Sequence, residues 1–293
     1  EAYSYRDYVS ACCQFANLLL EQRQSGPFHV GILLDNVPAY TIVLGGAALA
    51  GAAVVGLNPT RRGAQLARDI AHSDCQFLIS EDKYSDDLHA MEIDVVAGNR
   101  FNIDSEQWQT ALDQHKGKPV PFQSIDAAAP YLLIFTSGTT GNPKAALCSQ
   151  QRLAGIAESF SEMNNIGSED VSYLAMPLFH SNALMANWAP MVSRGVPIVL
   201  RRKFSASGFL PDIRRHNCTF MNYVGKPLTY ILSTPEKEDD ADNSLKLAFG
   251  NEAVVHDIKK FEKRFGCTVV DNYGSTEGGI RISRTNDTPD EAL

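Results

Sequence analysis

The sequence predicts an α/β fold in which parallel β-strands are connected by helices. Short apolar runs of strand length alternate with segments whose apolar residues recur at helical spacing, and both halves of the 293-residue chain show this alternation. The runs are continuously apolar, as expected for parallel strands that are buried on both faces. A chain of this length is expected to form one large domain or two ordinary ones.

The first third of the chain alternates between helix and strand. Ser4 is a suitable N-cap for the first helix, because its hydroxyl can accept a hydrogen bond from the first turn. The next apolar run, HVGILL, is short and bounded by polar residues, which is typical of a buried strand. We expect helices over 5–22, 38–50 and 60–72, the last capped by Thr60, and strands over 29–34, 52–57 and 75–80.

The segment 37–57 contains no charged residue and is long enough to span a bilayer. Its composition argues against a membrane span, because alanine and glycine dominate it and gain little from contact with lipid. Pro38 can begin a helix and Gly51 can end one. We therefore expect a buried helix, a break at Gly51 and a short strand.

The second half repeats the alternation after a polar, irregular segment, 81–129, which ends in a proline-rich stretch. We place a boundary there, between a first α/β subdomain, 1–129, and a second one, 130–293. The acidic run 236–242 is expected to be a solvated loop, because its charges repel one another. Strands are expected over 131–135, 171–176, 197–200, 218–223, 245–249 and 268–272, and helices over 150–163, 183–192 and 206–216.

Charge and cysteine content exclude several classes of protein. The 26 basic and 34 acidic residues give a net charge of −8, so the chain lacks the basic surface of a nucleic-acid-binding protein. The six cysteines include no CxxC pair and are expected to be reduced thiols of a cytoplasmic protein. The seven histidines form no HExxH motif, which argues against a catalytic zinc site.

The densest cluster of ligand-binding residue types lies in the segment TSGTTGNPK, which follows a predicted strand. Its glycines allow the backbone to approach a ligand closely, and its hydroxyls and amide N–H groups can donate to phosphate oxygens. The spacing differs from the common P-loop, GxxxxGK[ST], because Lys144 follows Gly141 by three positions. We expect a phosphate-binding loop of another design, and a simple Ser/Thr/Gly turn is the alternative.

This segment resembles the phosphate-loop signature of the adenylate-forming enzymes, which include acyl-CoA synthetases, luciferases and adenylation domains. Three further segments resemble family elements in the expected order: PLFH at 177–180, GNEA at 250–253 and DNYGSTE at 271–277. Residues 202–232 are similar to the fatty-acid-transport and very-long-chain acyl-CoA synthetase branch. The pair Lys226-Pro227 departs from that branch, in which an acidic residue is more frequent.

The resemblance implies the large N-terminal domain of an acyl-CoA synthetase, with helices layered on two mostly parallel β-sheets and the C-terminal lid domain absent. It implies a ligase that uses MgATP to convert a fatty acid or related lipid carboxylate into acyl-AMP and pyrophosphate. The intact enzyme would then form acyl-CoA, so that ATP, Mg²⁺ and the co-substrate CoA are the expected ligands. This chain alone is expected to adenylate poorly.

The resemblance also assigns roles to individual residues. The catalytic residues would be Lys144, Thr276, Glu277 and His180, and Glu277 and Ser137 would hold Mg²⁺. The acyl pocket would be lined by His180, Ser181, Leu184 and Met185. The nucleotide would be bound by Thr136, Ser137, Gly138, Thr139, Thr140, Gly141, Lys144, Gly250, Asn251, Glu252, Asp271, Asn272, Tyr273, Gly274 and Thr276.

Several alternatives remain open at the level of sequence. The protein could load its acyl group onto a carrier protein instead of CoA, or bind nucleotide and acyl group without catalysis. The acyl group could be a steroid side-chain carboxylate rather than a fatty acid. Met185 is equally consistent with core packing, and Glu277 could be a helix N-terminal carboxylate. We expect a cytoplasmic protein without a nucleic-acid partner, and leave peripheral membrane contact and homodimerisation open.

Overall fold

A computed structural model describes residues 2–91, 93–95, 97–136, 144–276 and 281–283. The helices in these ranges are α1 (Tyr5–Glu21), α2 (Pro38–Ala50), α3 (Gly63–His72), α4 (Ser85–His89), α5 (Glu106–Asp113), α6 (Gln150–Met163), α7 (Ser181–Ala183), α8 (Ala189–Arg194), α9 (Ala206–His216), α10 (Pro227–Leu232) and α11 (Val255–Phe265). A π-helical turn, Leu184–Trp188, joins α7 to α8.

The strands in the described ranges are β1 (His29–Leu33), β2 (Ala53–Gly56), β3 (Cys75–Ser80), β4 (Arg100–Asn102), β5 (Pro130–Thr136), β6 (Lys144–Ser149), β7 (Ser172–Leu174), β8 (Ile198–Leu200), β9 (Phe220–Val224), β10 (Leu247–Asn251), β11 (Thr268–Gly274) and β12 (Arg281–Ser283). They form two mostly parallel sheets covered by helices, which confirms the predicted fold class.

The chain divides into two compact units, Glu1–Arg152 and Leu153–Leu293. The sequence-based boundary between 129 and 130 precedes β5, whereas the structural division follows β6. The reason is strand pairing: β5 lies parallel to β2, and β6 pairs with β5 in the antiparallel sense. Both strands therefore belong to the first sheet.

The sheet of the first unit has the order β4-β3-β1-β2-β5-β6. The predicted N-cap is confirmed, because the Ser4 hydroxyl accepts a hydrogen bond from the Asp7 amide at 3.1 Å and the Asp7 carboxylate accepts one from the Ser4 amide. The uncharged segment forms α2 and β2 as expected, and Gly51 ends α2 in the left-handed conformation at φ 71°. Among the described residues, no helix is long and apolar enough to cross a membrane.

The sheet of the second unit has the order β12-β11-β10-β9-β7-β8, with only β12 antiparallel to its neighbour. On one face, Phe160 of α6 packs against Phe220 and Phe249, with ring centroids 6.0 and 4.6 Å apart. On the other face, Phe209 of α9 packs against Phe265 of α11 at 5.5 Å. The three parallel strands β9, β10 and β11 are thus held between two aromatic clusters.

Some elements differ from expectation for identifiable reasons. Helix α3 begins at Gly63 rather than at 60, because Asn58 Oδ1 accepts from both the amide and the hydroxyl of Thr60 and holds that residue in a turn. The segment 81–129, expected to be irregular, contains α4, β4 and α5. The expected helix over 183–192 begins earlier and contains the π-helical turn. Elements β6, α10, α11 and β12 were not expected.

The six cysteines are free and buried. Burial raises the pKa of the Cys75 and Cys267 thiols to about 12, although hydrogen bonds act in the opposite direction. These thiols are therefore protonated and unreactive at neutral pH.

Arg264 joins α11 to the residues that follow α10. It is buried, and its Nε donates to Asp240 Oδ2 at 2.6 Å. Its terminal nitrogens donate to the carbonyl oxygens of Leu232, Thr234 and Pro235 at 3.0–3.2 Å. One guanidinium group thus satisfies a buried carboxylate and several backbone acceptors at the end of α10.

We predict that Arg264→Met lowers the free energy of unfolding by about 3–5 kcal/mol, because the Asp240 carboxylate would stay buried without its cation. The control is Arg194→Met, which removes a 2.8 Å pair with Glu158 at the surface and should change stability by less than about 1 kcal/mol. Urea denaturation followed by circular dichroism measures both. Equal losses in the two variants would contradict a special role for the buried arginine.

Candidate functional site

The predicted site residues fall partly outside the described part of the chain. Ser137, Gly138, Thr139, Thr140, Gly141 and Glu277 lie outside the described residues. In the first unit, Thr136 ends β5 and Lys144 begins β6, and the two residues are register partners. The remaining predicted site residues of the second unit, at 180–185, 250–252 and 271–276, lie within the described residues.

Most of these residues lie at one edge of the second sheet. Strands β9, β10 and β11 are parallel, so their carboxyl ends meet at the same edge. Gly250 is the register partner of Asp271, and Asn251 that of Asn272. Residues that are 21 positions apart in sequence therefore lie side by side, as is typical of ligand sites at the carboxyl ends of parallel strands.

Tyr223 of β9 reaches across β10 to Asp271 of β11. Its hydroxyl donates to Asp271 Oδ1 at 2.7 Å, and that carboxylate raises the pKa of Tyr223 in addition to the larger effect of burial. The ring passes directly over Gly250, where a Cβ atom would lie 2.5 Å from Tyr223 Cδ2. The absence of a side chain at Gly250 therefore allows the Tyr223 ring to cross β10.

The loop after β10 is held in an unusual conformation. Glu252 has a φ of 64°, in the left-handed region that residues with a side chain rarely adopt. The next residue, Ala253, donates its amide to Asp271 Oδ1 at 3.1 Å. The same carboxylate therefore fixes both Tyr223 and this loop, and it maintains a backbone conformation that such residues adopt mainly at functional sites.

Asn272 and Tyr273 offer two different surfaces at the end of β11. Tyr273 is 65% exposed, so its ring is available for stacking. Asn272 is only 7% exposed, and its amide nitrogen donates to the Gly250 carbonyl oxygen at 3.2 Å. Its Oδ1 atom has no hydrogen-bond partner among the described residues. A buried acceptor without a partner is unfavourable by itself.

His180 and Ser181 lie at the start of α7. The Ser181 Oγ and Thr276 Oγ1 atoms are 2.9 Å apart, which brings a predicted acyl-pocket residue against a predicted catalytic residue. The His180 ring is tilted against Phe179, with centroids 4.9 Å apart. His180 is exposed, yet neighbouring groups displace enough water to lower the pKa of its imidazole, while Glu252 acts in the opposite direction. The lowered pKa favours the neutral imidazole.

Leu184 and Met185 lie in the π-helical turn after α7. Leu184 is 3% exposed and Met185 is half-buried. Turns of this type are rare and occur frequently at functional sites. Both residues remain compatible with an acyl pocket and with ordinary packing.

A metal site is not formed by the described residues alone, since no group of three or more His, Cys, Asp or Glu side chains among them is suitable. The proposed magnesium ligands Glu277 and Ser137 both lie outside those residues.

The sequence reasoning did not identify Asn182, Asn222 or Tyr223 as site residues. Their side chains interact with the predicted residues Asn251 and Asp271 or with one another. The available signal was weak: an asparagine within the otherwise apolar strand FMNYV is an unusual residue for a buried strand.

The chain matches the family model described as AMP-binding enzyme over residues 1–293. It is 45% identical to the medium/long-chain-fatty-acid–CoA ligase FadD17 of Mycobacterium marinum over 99% of this chain and 56% of the relative. It is 46% identical to the steroid-22-oyl-CoA synthetase of Rhodococcus jostii over 92% of this chain and 49% of the relative. The chain thus spans about half the length of these curated relatives.

The fold is also found in a solved structure. The inhibitor-bound N-terminal domain of FACL13 from Mycobacterium tuberculosis superposes with a TM-score of 0.83 at 19% identity, over 94% of this chain and 71% of that chain. At this identity the likeness concerns the fold alone.

We predict that Gly250→Ala lowers the free energy of unfolding by about 1–3 kcal/mol, because the added methyl group would clash with the Tyr223 carbonyl oxygen and lie 2.5 Å from the Tyr223 ring, so that both the strand and the ring must shift. The displacement should also weaken the hydrogen bond from Tyr223 to Asp271. Urea denaturation measures the loss of stability.

The control for this substitution is Gly155→Ala. Gly155 is exposed on α6, and a Cβ atom there would meet nothing within 4 Å. This variant should be more stable by about 0.5–1 kcal/mol, because alanine favours a helix over glycine. An unchanged stability of Gly250→Ala would contradict the crossing of Tyr223 over this position.

Proposed function

Since this chain belongs to the family of AMP-binding enzymes, we propose that the protein containing it is an AMP-forming acid–CoA ligase. The resemblance to this family, drawn from TSGTTGNPK and three further segments, is confirmed by the family match over residues 1–293. The proposed substrate is a fatty acid or a related lipid carboxylate. The observation that carries this proposal is 45% identity to a medium/long-chain-fatty-acid–CoA ligase across 99% of the chain.

The proposed reaction has two steps. A carboxylate oxygen attacks the α-phosphorus of ATP, the bond to the β-phosphate oxygen breaks, and pyrophosphate leaves. In the second step the CoA thiol loses its proton to solvent and its sulfur attacks the acyl carbon, and the bond from that carbon to the phosphate oxygen breaks as AMP leaves. Two anions must meet in the first step, so fixed positive charge and hydrogen-bond donors are required. Glu277 and Ser137 would hold Mg²⁺, which would supply part of that charge, and Lys144 would add a mobile positive charge.

The adenine base is proposed to bind at the carboxyl ends of β10 and β11. The exposed Tyr273 ring offers a stacking surface, and the loop over 251–253 offers backbone groups held by Asp271. Gly274, where a Cβ atom would meet nothing within 4 Å, leaves space for close approach of the ligand. The hydroxyl groups of the phosphate loop, from Thr136 to Thr140, would contact the phosphates.

His180 is proposed to position the carboxylate rather than to accept its proton. A fatty acid is already ionised at pH 7, so the first step needs no base. The neutral imidazole, which the lowered pKa of His180 favours, can still donate one hydrogen bond to a carboxylate oxygen. The contact between Ser181 and Thr276 supports this assignment, because it joins the proposed acyl side to the proposed α-phosphate side.

We predict that the full-length protein releases pyrophosphate from MgATP only when a suitable carboxylate is present, and that Glu277→Ala reduces this rate by at least about 100-fold. The reason is that Glu277 is the proposed magnesium ligand. The control is Glu238→Ala in the exposed acidic loop, which should leave the rate unchanged.

The same assay separates the alternatives. Pyrophosphate release followed by AMP release on addition of CoA supports the CoA ligase. AMP release that requires a carrier protein identifies a carrier-loading ligase. Tight MgATP binding without carboxylate-dependent release identifies a non-catalytic module and refutes the proposal. Full activity of Glu277→Ala would refute the magnesium assignment.

We predict that His180→Ala raises the KM for the carboxylate by about 10-fold or more, since one charge-assisted hydrogen bond is lost. The KM for ATP should change by less than about twofold, because the ring is assigned to the carboxylate alone. His256→Ala is the control, since that histidine is exposed on α11. A raised KM for ATP with an unchanged KM for the carboxylate would refute the role of His180.

A further inference from the structure

Four asparagine side chains form a directional series of hydrogen bonds in the second unit, which we call the asparagine relay: Asn187, Asn222, Asn182 and Asn251. The amide nitrogen of Asn187 donates to Asn222 Oδ1 at 2.8 Å, and that of Asn222 donates to Asn182 Oδ1 at 2.7 Å. Asn182 donates to Asn251 Oδ1 at 3.2 Å. Asn251 donates to the Asn272 carbonyl oxygen at 2.7 Å.

The relay occupies the carboxyl half of a sheet face whose amino half is apolar. Asn222 and Asn251 each follow a core phenylalanine, Phe220 and Phe249, by two residues, so they share the face of that phenylalanine. Buried amides are unfavourable unless they are hydrogen-bonded, and each oxygen in the relay accepts from a defined donor. Each asparagine therefore constrains the orientation of the next one.

Asn182 is the hub of the relay. Its oxygen accepts from Asn222, and its nitrogen donates both to Asn251 and to the Tyr223 carbonyl oxygen at 3.1 Å. It lies on α7, Ser181–Ala183, which continues through the π-helical turn into α8 and is therefore the first turn of a longer helical segment. The first amide N–H groups of a helix have no partner within it, and the N-cap residue His180 supplies no side-chain hydrogen bond to them. The Asn182 side chain ties this first turn to the ends of β9 and β10.

The residues next to Asn182 belong to the proposed acyl pocket, so the position of α7 affects the proposed reaction. His180 and Ser181 immediately precede it, and Ser181 contacts Thr276 across 2.9 Å. We propose that Asn182 is a positioning residue for adenylation: it fixes α7 against the strand ends and so aligns the carboxylate side of the site with the phosphate side. This inference rests on the proposed function and adds to it a residue outside the family signatures.

We predict that Asn182→Ala lowers kcat for carboxylate-dependent pyrophosphate release by about 10–100-fold, because a displacement of about 1 Å between reacting groups has an effect of this size. The affinity for AMP should fall by about 3–10-fold, since Asn251 loses the partner that orients it beside the 251–253 loop. The full-length protein is used, with steady-state kinetics for the first quantity and isothermal titration calorimetry with AMP for the second.

Asn243 provides a matched control in the same unit. It also donates twice, to the carbonyl oxygens of Asp240 and Phe265 at 2.8 and 3.0 Å, and it accepts once, from the Leu245 amide at 2.8 Å. Both asparagines are half-buried. Asn243→Ala should lose a comparable amount of stability while keeping kcat and AMP affinity. Equal kinetic losses in the two variants would overturn the proposal.

The variant Asn182→Asp tests whether the hydrogen bonds that Asn182 donates, rather than the volume of its side chain, position α7. This variant keeps the size of the side chain and the acceptor for Asn222, but its ionised form cannot donate to Tyr223 or Asn251. We expect it to be as impaired as Asn182→Ala at pH 8 and to recover partly as the pH falls, because a protonated carboxyl group regains one donor. Wild-type kcat across the whole pH range would overturn the proposal, and this variant also serves if Asn182→Ala does not fold.

The experiments distinguish an error in the proposed function from an error in the role of Asn182. If the unaltered protein shows no carboxylate-dependent pyrophosphate release, the proposed function is refuted and the AMP titrations decide on Asn182. Weaker AMP binding in Asn182→Ala with normal binding in Asn243→Ala then supports the positioning role. Equal AMP affinities in all three proteins refute it.

Discussion

Buried polar groups at the carboxyl ends of β9, β10 and β11 must satisfy one another, and the candidate site depends on this constraint. On one face of the sheet, the Tyr223 hydroxyl crosses Gly250 to reach Asp271, which also accepts from the amide of Ala253. On the other face, the asparagine relay ends at the backbone of Asn272. Hydrogen bonds therefore fix the strand ends from both faces.

This arrangement makes the carboxyl ends of the three strands rigid and leaves an exposed aromatic ring beside them. The strained backbone of Glu252 persists because Asp271 holds the following residue. The Tyr273 ring is exposed and accessible to a ligand. The contact between the Ser181 and Thr276 hydroxyl groups connects these strand ends to the proposed acyl pocket. Such preorganisation is what a reaction between two anions requires.

The sequence predicted much of the fold, because apolar periodicity reports burial directly. Helix α2 and strand β3 have the expected bounds, and the Ser4 cap is confirmed. Local sequence patterns did not predict elements whose packing partners are distant in sequence. Trp108 of α5 packs against Phe15 at 5.6 Å, yet its surroundings in the chain are polar. The signatures led to Gly250 and Asp271. Asn182 could not be found, because its hydrogen-bond partners lie on two strands, β9 and β10, that are distant in sequence.

The most direct test of the central claim is a crystal structure of the full-length protein with a non-hydrolysable acyl-AMP analogue. The account predicts that the adenine ring lies against Tyr273 and the 251–253 loop, with Thr276 within hydrogen-bond distance of the α-phosphate position and His180 beside the acyl carbonyl. An analogue bound elsewhere, with the carboxyl ends of β10 and β11 unoccupied, would contradict it.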